Sequence, residues 1–239
     1  MSSLNYTTYV SQLANLVVIP STDSSFTTML PGCIDYAEQR LYRDLNLLDT
    51  QIVDATVSCS SGVRTVALST ASGTYITVDS ISVITPAGSG SSNGTRSPVF
   101  PVSVDFIDAV YPAAGSATGT PQFFARLNLS TIVMGPSPDD NYTVEVIGIQ
   151  RPTSLSVSNS STVLTQYVPD LFIAASMVFV SGYMRNFGSQ ADNPQMSQSW
   201  ENQYQTLLRS AAVEQARARF YAEGWTSKQP SPIATPPRA

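Results

Sequence analysis

The apolar period of this chain changes twice, and that change most constrains its fold. From Tyr6 to Ile19 the residues Tyr9, Leu13, Leu16 and Val17 share one helical face, with Asn5 placed to cap it. Ile34, Ala37, Leu41, Leu45 and Leu48 recur at spacings of three and four and make a second buried stripe. From Gln51 to Ile149 the period drops to two. Val53, Ala55 and Val57 alternate with polar residues, then Val66 and Leu68, Tyr75 to Val83, Thr131 to Met134 and Tyr142 to Ile149. Helical spacing returns after Pro169. Leu171 to Phe187 is apolar almost all round, so it predicts a helix buried on most faces. Met196, Trp200, Tyr204, Leu207, Leu208 and Ala211 stripe a last helix, opened by Asn193-Pro194 and running to about Ala222 over roughly 40 Å.

Two helices at each end around a β centre predict an α+β fold: an antiparallel helical bundle with an inserted antiparallel β domain. The segments are 1–49 and 153–223 for the bundle, 50–152 for the β domain, and 224–239 for an extended proline-rich C-terminal arm. Pro31 is placed in the first turn of the second helix, with a kink as the alternative. The small residues of 86–97 predict a long loop, and Val104 to Tyr111 a short helical turn over one sheet face.

Composition removes most chemistry. The 239 residues contain no histidine, which excludes a Ser-His-Asp relay and the commonest metal ligand and general base. Cys33 and Cys59 alone cannot build a zinc site; two reduced thiols are expected of them, with a disulfide as the alternative. Asp139-Asp140 is a paired carboxylate, but Pro-Ser-Pro-Asp-Asp-Asn is turn composition. Gly88 to Gly94 lacks the lysine and the strand-to-helix setting of a phosphate cradle. No catalytic, cofactor-binding or metal-binding residue is assigned, and no enzyme is expected. A net charge of −5 and a single lysine, Lys228, argue against a basic nucleic-acid footprint. Arg40, Arg43, Arg209, Arg217 and Arg219 read as helix-surface charges with i,i+4 partners or subunit-edge contacts. Charged residues make up 12% of the chain, about half the usual share, which suits a surface packed against copies or neighbours. Leu13 to Ile19 lacks the basic flank of a signal peptide. Leu171 to Val180 falls short of the ~20 residues that span a bilayer, so a soluble protein is expected.

Three blocks carry a resemblance. They are Tyr36-Ala-Glu-Gln-Arg-Leu-Tyr-Arg-Asp-Leu45, then Thr118-Gly-Thr-Pro-Gln-Phe-Phe-Ala125 followed by Ile132 to Val144, and Tyr167-Val-Pro-Asp-Leu-Phe-Ile173. Each resembles the corresponding segment of the head-to-tail adaptor (connector) proteins of tailed phages, particularly those related to tail tubular protein A of short-tailed phages. The blocks keep the family's order across roughly Tyr6 to Tyr221.

The resemblance implies a structural virion protein at the head–tail junction. It would be assembled in the host cytoplasm as a ring of twelve copies that joins the portal protein to the tail tube or nozzle and lines the DNA-ejection channel. DNA would pass through without sequence-specific binding, and no membrane is involved. Within the arm, Trp225, Lys228, Ile233 and Arg238 are the expected partner-binding residues: an aromatic anchor, an aliphatic plug and two cations for the portal or a neighbouring subunit. Two other classes compete. One is a tail fibre-attachment or host-glycan-binding module, which would show an exposed aromatic cluster. The other is a virion hydrolase using two carboxylates.

Overall fold

The structure, a computed structural model, describes residues 4–68, 73–112, 118–183 and 194–222. Helix α1 (Tyr6–Val17) opens with a reciprocal cap. The Asn5 side chain accepts the Thr8 N–H, and the Thr8 hydroxyl accepts the Asn5 N–H. It closes on Val18 in the left-handed region, φ 59°. Helix α2 (Ser24–Asp44) starts where Asp23 accepts the N–H groups of Ser25 and Phe26. That start is earlier than expected, because Phe26, Met29 and Leu30 extend the apolar stripe N-terminally. Pro31 therefore lies inside the helix rather than in its first turn.

Helix α4 (Val163–Tyr167) precedes α5 (Pro169–Tyr183), and α6 (Pro194–Ala222) ends the described chain. Helix α5 is the hub and packs against α1, α2, α4 and α6. This position accounts for its apolar circumference: Leu171, Phe172, Ala174, Ala175, Met177 and Val180 are all buried. Tyr9 of α1 stacks on Phe172 at 4.9 Å and hydrogen-bonds the Ser176 hydroxyl at 2.7 Å, so the buried polar atoms satisfy one another. The end of the expected helix beyond Tyr183 lies outside the described residues.

A 3₁₀ turn at Leu48–Thr50 leads into the sheet. Its strands are β1 (Gln51–Cys59), β2 (Thr65–Ala67), β3 (Gly73–Thr85), β4 (Thr95–Pro101), β5 (Phe123–Arg126), β6 (Thr131–Gly135) and β7 (Tyr142–Pro152). They are ordered β1-β7-β3-β4-β5-β6-β2, and the outermost two, β1 and β2, approach each other without a ladder. Helix α3 (Val104–Val110) crosses from β4 towards β5 and buries Ile107 on Ala125 and Val133.

This overturns the expected fold class. The molecule is a mixed α/β protein with a seven-stranded, nearly closed, barrel-like sheet, not a helical bundle carrying a small antiparallel insert. The physical reason lies in the two long strands. β3 and β7 pair over most of their lengths with register shifts at Tyr75/Thr77 and Val78/Ser80, and such bulges add twist and curl. The curled sheet encloses its own core, including Val57, Ile81, Val83, Ile132, Val144 and Val146, and needs no helix to cover that face. Nor is it wholly antiparallel: β4 runs parallel to β5 through Phe100↔Phe123 and Pro101↔Phe124.

The loop expected over 86–97 ends at Gly94, and β4 follows. Pro98 is tolerated there for a geometric reason. The Phe100 N–H bonds Gln122 O on the β5 side, so the N–H that Pro98 lacks would have pointed the same way, where β5 offers no pair. The chain enters the barrel at Gln51 and leaves it at Pro152, side by side at one end, where Gln51 pairs with Ile149.

Candidate partner-binding surfaces

The contact between α2 and α6 is polar and tightly tied. The Arg40 guanidinium lies 4.0 Å from the centre of the Tyr204 ring and pairs with Glu201 and Asp44. The Tyr204 hydroxyl donates to Asp44 Oδ2 at 2.6 Å. Burial, then the Asp44 carboxylate, raises the Tyr204 phenol above its ordinary value, while Arg40 holds the Glu201 carboxyl below its own. Beside this network an open cleft is lined by Gly32, Asp35, Tyr36, Gln39, Arg43 and Phe179, with the Tyr36 and Phe179 rings 5.3 Å apart. Most of its charges already have partners: Gln39 donates to Asp35, and Arg43 to Gln39.

Two other surfaces are less committed. On the outer barrel face, Val99 and Phe124 point into the core, so Phe100 and Phe123, paired in register, point out together. Phe106 of α3 meets Phe123 edge-on at 5.5 Å. Phe100 is 59% exposed, Phe106 41% and Val110 48%. Asp105 flanks this patch and has no ion-pair partner among the described residues, whereas Asp108 is paired with Arg64.

The second surface is the outer face of α6. Tyr204 and Ala211 are buried and Leu207 and Leu208 half-buried, so the opposite face presents Arg209, Val213 and Arg217 in one row at spacings of four. Among the described residues neither arginine has an ion-pair partner. Arg219, off that row, binds the backbone and side chain of Asn46.

The sequence-derived candidates fall out as follows. Trp225, Lys228, Ile233 and Arg238 lie outside the described residues. Asp139 accepts the Tyr142 hydroxyl at 2.7 Å, and Asp140 accepts the Asn141 N–H, as turn carboxylates do. Among the described residues no group of three or more His, Cys, Asp or Glu could hold a metal ion. Cys33 and Cys59 are free thiols buried in separate cores, and burial pushes the Cys33 thiol up to about 11. Among the described residues no helix is long and apolar enough to cross a membrane. Sequence reasoning missed the phenylalanine patch. Its only trace was Phe106 and Val110 at a spacing of four on the otherwise polar side of α3.

The family described as SU10 adaptor protein matches residues 4–229, nearly the whole chain, and the chain belongs to it. It is accordingly a structural adaptor of a phage and a component of the virion that associates with others at the head–tail junction. No curated protein matches the chain.

Proposed function

We propose that the chain forms a closed ring, of twelve copies as its resemblance to connectors implies, that joins the portal to the tail tube or nozzle. The ring lines the channel through which DNA leaves, and the chain is kin to the adaptors related to tail tubular protein A. The carrying observation is the adaptor-family match over residues 4–229. The residue types on its surface support the reading. An acidic chain with net charge −5 repels the polymer it conducts rather than trapping it.

Segments 1–49 and 153–223 act as one helical unit and 50–152 as a second, barrel unit. The arm from 224 binds the portal or a neighbouring subunit through Trp225, Lys228, Ile233 and Arg238. The fifteen residues 225–239 at ~3.1 Å each reach roughly 45 Å, far enough to cross onto another protein. The Phe100, Phe106 and Phe123 patch is an exposed aromatic cluster of the kind a fibre-attachment or glycan-binding module would show. Such a module, however, would have no use for a hub helix buried by four others. The protein works mechanically, and its residues hold position rather than perform chemistry.

The test is imaging of virions labelled with an antibody against this chain. Label at the vertex between head and tail, on a ring, is expected. Label confined to fibres, or absent from the junction, would overturn the reading.

A further inference from the structure

We infer that the outer row of α6 and the aromatic patch around α3 are the two halves of one head-to-tail contact between copies of this chain. The inference rests on the ring proposed above and names the surfaces that close it. A cyclic ring requires two different patches on each subunit, complementary to each other and separate in position. These two are separate: one lies on the helical layer, the other on the outer barrel face.

They are also complementary. Arg209 and Arg217 bracket Val213, which is 51% exposed, and bring two cations and an aliphatic side chain in one line. The facing patch offers Phe100, Phe106 and Phe123 with the carboxylate of Asp105. Guanidinium groups stack on aromatic faces and pair with carboxylates, so each half supplies what the other lacks. Val110 and Val213 add apolar area at the centre.

Charge argues for a second copy rather than nucleic acid as the occupant of the α6 row. The chain carries 17 acidic residues against 12 basic, so another copy is an acidic partner, while DNA would meet a net charge of −5.

The test is thiol crosslinking of the full chain bearing Phe106→Cys and Val213→Cys, with a short bis-maleimide and a denaturing gel. Cys33 and Cys59 are buried and stay silent. A ladder of covalent oligomers is expected from the double variant and none from either single variant. Asp105→Cys paired with Val213→Cys repeats the test should loss of the Phe106 ring disturb the fold. Adding Arg209→Glu and Arg217→Glu should weaken the ladder about tenfold. Asp105→Arg in that background should restore it.

Dimers from a single variant would show like-with-like pairing and sink the inference. So would a ladder indifferent to charge reversal. Rings seen by electron microscopy without a ladder would leave the ring standing and place its contact elsewhere. Neither rings nor a ladder would bring down both readings. Double-stranded DNA retained by the unaltered chain and released by Arg209→Glu/Arg217→Glu, without a ladder, would assign the row to DNA and overturn the proposal.

Discussion

The carboxylate of Glu38, midway along α2, accepts the backbone N–H of Leu155 at 2.8 Å, just beyond the end of β7. A helix of the layer thus holds the chain as it leaves the barrel. Burial raises the Glu38 carboxyl above its ordinary value, and the Leu155 hydrogen bond only partly opposes this.

The sign of the pH effect follows. A carboxyl with a raised folded value favours its protonated form on folding. Its contribution is fully present below the unfolded value of about 4.3 and is lost as pH rises through the higher folded value. Glu38→Gln should therefore melt higher than the unaltered chain at neutral pH, and the difference should vanish in acid. Thermal melts across pH measure this. A difference that grows in acid would show that the ionised form is the stabilised one.

Tyr204 is the aromatic anchor between α2 and α6. Its ring is fully buried, whereas Trp200 is only partly buried against the same core. Tyr204→Ala should cost ~3–5 kcal/mol and Tyr204→Phe about 1–3 kcal/mol, the latter for the lost bond to a charged Asp44. Denaturant midpoints decide it. Equal costs for the two substitutions would mean that the ring contributes nothing.

Gly148 of β7 sits opposite the bulged part of β3. A Cβ there would come within 2.3 Å of Thr77 O, a backbone atom with nowhere to retreat. Gly148→Ala should destabilise by about 1–3 kcal/mol or more, through forced separation of the two strands. Its melting temperature should fall well below that of an exposed control such as Ser58→Ala.

Val18 holds a φ of 59° while 86% exposed, so its β-branched side chain pays for little burial there. Val18→Gly should stabilise the protein by about 1 kcal/mol, since relief of left-handed strain exceeds the entropy that glycine adds to the unfolded chain. An unchanged or lowered melting temperature would count against that balance.

Much of the helical layer was legible because its stripes are regular. Asn5, the Tyr9, Leu13 and Val17 positions and the all-round apolar α5 each declare their surroundings through spacing, whereas Leu16, expected on the same face, is exposed. The barrel was not legible as a barrel. Val53, 63% exposed, stands before the bulge at Asp54/Val57 that breaks the expected alternation. Alternation around Val57 or Val83 reports one buried face, but whether that face meets a helix or its own sheet depends on curl. Curl is set by bulges at Thr77 and Ser80 that leave no mark in periodicity. β4 was hidden by Pro98 and Pro101, which this interior strand accommodates because the ladder with β5 begins only at Phe100 and the ladder with β3 ends at Val99. The α6 row was legible as charge but not as a surface, because Arg209, Arg217 and Arg219 look alike until Arg219 is seen bound to Asn46. The phenylalanine patch depends on a parallel pairing of β4 with β5 that no local pattern encodes.

The side-by-side entry and exit of the barrel have a mechanical consequence. If the helical layer and the barrel are pulled apart, tension reaches the sheet through the Gln51 end of β1 and the Pro152 end of β7, both drawn the same way. β7 is then dragged lengthwise along β3, to which it is bonded from Gly73↔Pro152 to Ile84↔Thr143. Those rungs bear the load together instead of opening one after another, so the joint resists tearing in the direction in which the two halves would be strained.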